Sequence, residues 1–370
     1  MSYEYLPARI CNPCVPLKRV YQHARRLVVD SMLVYLISFF FLFTQLLCAQ
    51  DNDFAGNPSD FKPEIHGTIR GKYEYQTEME AGRFQVRNAR FSISGHVHPI
   101  VGYKAEIDLS DEGTIRMLDA YTSIQATNHL NFTIGQMRVP FTIDAHRSPH
   151  QQHFANRSFI AKQVGNVRDV GAIISYKTDP LFPVQLEVGA FNGSGLTQQK
   201  VWHRTMSYSS KAQLMFIKGM NLTISAQSIE PERVRMNLLD VGLYYKFLNF
   251  HVEGEYLHKR YKDKVFDDVQ AFNGFVNYDL KLKKYFEKIS FLVRYDMMND
   301  NNDGFADAAT NTLKITDYHR QRFTGGVTLS IDKPFITDIR INYENYYYKK
   351  SGVPKESEQD KFVIEFMTRF

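Results

Sequence analysis

The last eleven residues, Asp360 to Phe370, read DKFVIEFMTRF, and they constrain the fold more than any other stretch. Phe362, Ile364, Phe366, Thr368 and Phe370 fall on one face of an extended strand. Lys361, Val363, Glu365, Met367 and Arg369 fall on the other. A period of two fits a β-strand and misses the helical period of about 3.6. A last strand that ends on an aromatic residue suits a closed membrane barrel, where it pairs with the first strand and shows an apolar face to lipid. The competing reading is the final strand of a soluble β-sandwich.

Composition bears on that choice. The 370 residues are 44% hydrophobic and 14% aromatic, yet mean hydropathy is negative. Beyond residue 49 no apolar run reaches the ~20 residues that a membrane helix needs. A barrel explains this, because its apolar residues alternate with polar ones and no window is hydrophobic overall. The 22 Tyr and 28 Phe, against a single Trp at 202, suit aromatic girdles at two membrane surfaces.

One continuous apolar run does exist, Met32 to Cys48. Lys18, Arg19, Arg25 and Arg26 precede it and Ala49-Gln50 follow it, which reads as a signal peptide over residues 1–49. The leader is longer than usual, pointing to a start downstream of Met1. A membrane anchor is the alternative. Lipidation at Cys48 is disfavoured, because Leu47 is not the small residue that such a site wants. All three cysteines (Cys11, Cys14, Cys48) lie in this leader, so the remainder has no disulfide to form. The formal net charge is +5, and the leader holds most of the excess. No global basic field points to nucleic acid. Any preference for anions must come from local placement of charge.

Residues 50–63, with Gly56, Pro58 and Pro63, read as a flexible lead-in. Strands then follow one another over 64–370, and we count sixteen candidates. In EIHGTIRGKYEYQTE, Ile65, Ile69, Tyr73 and Tyr75 oppose His66, Thr68, Arg70, Lys72, Glu74 and Gln76. In RFQVRNARFSISGHV the apolar parity flips between Val86 and Phe91, which predicts a bulge near Arg87 to Arg90. No plug-sized domain precedes Glu64, so an energy-coupled transporter is not expected.

Charge on a lipid-facing wall near the midplane costs ~2–4 kcal/mol per Lys or Arg, so the charged faces should point inward. The basic candidates there are Arg70, Lys72, Lys104, Arg294, Arg320, Arg322 and Arg340, and Glu106, Asp108, Glu253, Glu255, Asp296 and Glu344 are among the acids. Sixteen strands enclose an aqueous channel. The non-alternating segment Thr142–Val167 is the candidate for an inward-folded loop. It holds His146, Arg147, His150, His153, Arg157 and Lys162, with no acid between Ala145 and Val167. Arg138 and Arg168 flank it. Arg138, Arg147, Arg157, Lys162 and Arg168 would favour a phosphate-like anion, which accepts several charge-assisted hydrogen bonds. Other chemistries are weaker. Ser148 and His150 carry no oxyanion motif. His146, His150 and His153 lack a following carboxylate before Asp169, so neither a catalytic nor a metal site is assigned.

Residues 84–193 resemble the phosphate-selective porin O/P family of Gram-negative outer membranes. The segments that carry the resemblance are FQVRNARFSISGHV, YKAEIDLSD, LDAYTSI, FTIGQMRVPF, NRSFI, NVRDVGAII and VGAFNGSG, in that order. The resemblance implies a sixteen-stranded outer-membrane porin, usually a homotrimer, with an inward-folded loop and a basic pore. The family's Arg ladder and Lys cluster are not matched residue by residue here.

The expectation is therefore an all-β transmembrane antiparallel barrel for passive diffusion of small anions such as phosphate, without enzyme activity or cofactor. Its partners would be outer-membrane lipid and the barrel-assembly machinery, which would read Phe366 and Phe370. A small-solute porin without anion selectivity, and an adhesive or structural barrel with a blocked lumen, stay open.

Overall fold

The computed structural model describes residues 61–370, apart from 112–113, 164–166, 179–182, 233, 308–311, 350–351 and 353. The expected leader lies outside the described residues, as does the lead-in up to residue 60.

Alternating segments separated by turn residues become antiparallel strands. In order they are β1 (Glu64–Gln76), β2 (Ala81–His98), β3 (Val101–Asp111), β4 (Thr114–Gln125), β5 (Leu130–Arg138), β6 (Arg168–Lys177), β7 (Val184–Phe191) and β8 (Ser207–Leu214). They continue as β9 (Met220–Ile229), β10 (Met236–Phe247), β11 (Phe250–Tyr261), β12 (Val269–Lys281), β13 (Lys288–Met298), β14 (Arg320–Ile331), β15 (Ile336–Tyr348) and β16 (Lys361–Arg369). Each pairs with its sequence neighbours, and β16 pairs with β1 from Thr68–Arg369 to Gln76–Lys361. The sheet closes and leaves no edge to cap.

The expected faces are the observed ones. On β16, Phe362, Phe366 and Phe370 are exposed outward, while Lys361, Val363, Glu365 and Met367 are buried inside. At the seam the Gly67 amide donates to the Phe370 carbonyl at 2.7 Å, and the reverse bond is 3.0 Å. The Phe370 ring lies over Gly67 so closely that a Cβ there would sit 2.2 Å from it. Only glycine lets this ring reach Phe91 and Phe335, at centroid distances of 6.2 and 6.4 Å. The parity flip in β2 is a bulge: its register with β1 shifts between Arg70 and Gly71, opposite Val86 to Asn88.

Short turns gather at one end of the barrel, among them 126–129, 248–249, 282–287 and 332–335. Longer connections gather at the other, including 192–206 and 299–319. Two outward aromatic rows mark the lipid-facing band. Near the turn end Tyr245, Phe247, Phe250 and Tyr278 follow one another at 5.1, 5.5 and 4.9 Å. Near the loop end Phe272, Tyr295, Phe323 and Tyr347 do so at 6.3, 4.8 and 6.1 Å. Such girdles belong at the two membrane–water interfaces.

Candidate functional site

The segment between β5 and β6, residues 139–167, folds back into the barrel. It contains two 3-10 turns, Asp144–His146 and Pro149–Gln151, and one short helix, α1 (Phe159–Gln163). A capping box between Ser148 and Gln151, with Pro149 at the first position, sets the second turn.

The wall grips this loop at its root. Thr142 has a φ of 58°, unusual for a β-branched residue, and is fully buried. Its amide donates to Ser225 Oγ at 3.0 Å, and its carbonyl accepts from Lys211 Nζ at 2.8 Å. The Ile143 amide donates to Glu255 Oε1 at 2.5 Å. These bonds hold a backbone conformation that a threonine would leave if free.

Further along, the loop's own charges pair. Arg147 donates to Glu253 on β11 and lies 3.6 Å from Asp144. Arg157 donates to the carbonyls of Asp144 and Arg147. Ser158 gives Asp144 two more bonds, both 2.9 Å. Burial pushes the Asp144 carboxyl up, but Arg157 and then Arg147 outweigh it and hold the group below the ordinary aspartate range.

Arginines of the wall then take the loop's backbone. Arg70 donates to the Ala155 carbonyl at 2.9 Å, Arg294 to Asn156 at 2.9 Å and Arg322 to Arg157 at 2.7 Å. The same side chains have carboxylate partners: Arg70 with Glu365 and Arg322 with Asp296, each at 2.5 Å. Arg340 bonds Glu365 and Asp338 at 2.8 Å each, and Arg320 pairs with Glu358 at 2.7 Å. The Phe159 ring lies 4.4 and 4.7 Å from the guanidinium carbons of Arg320 and Arg322. With Ile160 and Ala161 it packs on Ile229, Met236, Leu238, Leu257, Val269, Ala271 and Met298 from the inner wall. On the β9–β15 side the lumen is filled and dry.

The β2–β6 side differs. Arg90 and Lys104 keep 16% and 27% of their side chains exposed. Arg90 bonds Asp108 at 2.9 Å, and Lys104 reaches Glu106 and Asp119 at 2.9 Å each. Arg168 bonds Asp119 at 2.6 Å and Glu106 at 3.1 Å, while Arg138 donates to the His146 carbonyl. Below them opens a cavity of about 720 Å³, lined by Lys104, Asp119 and Arg138 and by Tyr121, Ser123, Asn131, Thr133 and Ser175. A second cavity of about 360 Å³, reaching His150–His153, lies below the filled side. Phe154, packed on Phe275 and Leu292, is buried beside it.

A barrel of this shape occurs in known outer-membrane channels. The channel DcaP of Acinetobacter baumannii superposes with a TM-score of 0.57 at 14% identity, covering 85% of this chain and 98% of that one. OmpF of Salmonella typhi, in complex with daunomycin, gives 0.57 at 9% identity over 85% and 99%. The trimer form of OmpT from Vibrio cholerae gives 0.56 at 11% identity over 84% and 98%. At these identities the likeness shows the fold alone. No curated protein sequence matches significantly. The sequence profile of the phosphate-selective porin O and P family matches residues 64–213. Over that stretch the chain is similar to that family. It is an outer-membrane channel.

Within the porin, the sequence-predicted residues divide between the two sides. Arg147 and Arg157 meet at Asp144, and Arg138 and Arg168 lie on the β2–β6 side with Lys104. The Lys162 side chain is outside the described residues. Arg70, Arg294, Arg320, Arg322 and Arg340 hold the loop or wall carboxylates, and Lys72 bonds Glu74 at 2.6 Å. Phe366 and Phe370 face outward. His150 bonds Arg369 at 2.7 Å, and His153 stacks on His251 at 4.6 Å. Among the described residues no group of His, Cys, Asp or Glu is arranged to hold a metal ion. Arg90 and Asp119 were missed as site residues. Register shifts on β2 and β4 place them, so strict alternation hides them; the parity flip in β2 was the available signal.

Proposed function

We propose that the porin passes small anions, phosphate among them, by passive diffusion between the loop and the β2–β6 wall. One observation carries this reading. On the side that keeps water contact, Arg90, Lys104, Arg138 and Arg168 gather around Glu106, Asp108 and Asp119, with Glu187 further along the same cavity. A guanidinium already paired on one edge still offers N–H groups on another to a passing oxyanion. The family's description as phosphate-selective agrees with this reading. A porin without selectivity is the second reading, favoured by the ion pairs that these cations make.

The same proposal includes a cleaved signal peptide over 1–49, recognition of Phe366 and Phe370 by the barrel-assembly machinery, and a homotrimer, as the OmpT structure is a trimer form. Reversal potentials in planar bilayers under a KCl gradient test the selectivity. Anion selectivity that phosphate blocks, and that falls in Arg90→Gln and Lys104→Gln, supports it. An unselective or cation-selective channel with the same conductance refutes it.

A further inference from the structure

The turn end of the barrel is not uniform around its rim. Lys281, Lys283, Lys284 and Lys288 flank or lie within the single β12–β13 turn. The neighbouring turns add Lys218 and Lys333, whereas Lys246, Lys281 and Lys288 line the lumenal cavity that reaches His150–His153. The acids along this arc are Asp279, Glu287 and Asp332, and Asp279 is 3.8 Å from Lys288. These turns join β8 to β15, so Lys218, Lys283, Lys284 and Lys333 spread along an arc over half the rim. The other half, among the described residues, carries Lys62, Lys177 and Arg369, with His96, His98 and His129.

Apolar side chains interleave with the arc. Leu248 is 96% exposed, Tyr285 89%, Phe335 55% and Ile217 52%. They continue directly from the outward row Tyr245–Phe247–Phe250–Tyr278. In outer-membrane barrels the short turns face the periplasm, so this arc lies level with the headgroups of the periplasmic leaflet. Lysines whose stems lie along apolar surface and whose ammonium groups reach the headgroup layer attract anionic lipid there. A soluble polyanion would use the charges but leave the apolar groups in water.

We propose that the β8–β15 rim is a binding surface for anionic phospholipid headgroups, centred on Lys283 and Lys284. These ammonium groups take the lipid phosphates, and Leu248, Tyr285 and Phe335 sit among the upper acyl chains.

The test uses the folded full barrel in phosphatidylcholine vesicles carrying spin-labelled phosphatidylglycerol or phosphatidylcholine as probe. The expected result is a several-fold excess of motionally restricted phosphatidylglycerol over phosphatidylcholine, falling with added salt. The double variant Lys283→Gln, Lys284→Gln should abolish the excess, and the corresponding Lys→Arg double should keep it. Lys177→Gln should leave it unchanged. Heat-modifiable gel migration confirms that each variant is folded. Equal restriction of the two probes, or an excess that survives the glutamine double, overturns the proposal. Heparin binding through the same lysines, without a lipid preference, also overturns it and assigns the arc to a soluble polyanion.

Discussion

The two sides of the lumen use the same residue types to opposite ends. On the β9–β15 side, Arg294, Arg320, Arg322 and Arg340 are at most 3% exposed and spend their donors on loop carbonyls and wall carboxylates. On the β2–β6 side, Arg90 and Lys104 pair with carboxylates yet stay in contact with a water-accessible cavity. What separates them is what the loop places against each wall. Phe159, Ile160 and Ala161 go to one side, and the open volume is left at the other. An arginine in a barrel lumen is therefore no evidence of a pore lining until its neighbours are known.

The contrast can be broken most directly by removing the loop. Replacing residues 146–160 with a short Gly-Ser linker should raise single-channel conductance several-fold, because it opens the filled side. Unchanged conductance in a folded barrel would show that the loop does not set the constriction. Next come the buried pairs. Glu344→Ala deprives Arg322 and Arg294 of a carboxylate at 3.4 and 3.9 Å. Asp296 stays beside both arginines, but removing one carboxylate from a buried ion-pair network costs about 3–5 kcal/mol, read as a lower melting temperature of the folded barrel. Phe159→Ala should cost about as much, roughly 3–5 kcal/mol, by opening a cavity between two guanidinium groups. The smallest stability effect is expected on the wet side. Lys104→Gln should cost about 1 kcal/mol or less, since water compensates its partners, while still moving the reversal potential. Arg320→Gln should do the reverse: lower stability with selectivity unchanged.

Much of the fold was legible in the sequence because lipid imposes a simple rule. Period-two alternation gave the strand faces, the closing pair Phe362–Phe370 with β1, and the β2 bulge from its parity flip. The loop was legible as the stretch where alternation fails. Its charge balance was not. The segment lacks acids beyond Asp144, yet Arg147 finds Glu253, 106 residues away, and Arg70 finds Glu365, 295 away. Such partners exist only once the barrel has closed, and no local pattern announces them. The dry core left one trace: in MNLLDVGL both faces of β10 are apolar, with Met236 and Leu238 inside and Leu239 and Val241 outside. A strand lining only water would have kept its inner face polar.

Arg70 binds three separate parts of the chain at once. It stands on the first strand, grips Glu365 on the last across the seam, and reaches Gln152 and the Ala155 carbonyl in the loop. Zipping the seam and seating the loop are therefore coupled through one side chain. A cylinder that shuts around an unplaced segment still pairs this charge with Glu365 but leaves donors of the same guanidinium unspent, so seating the segment tightens a closure already made.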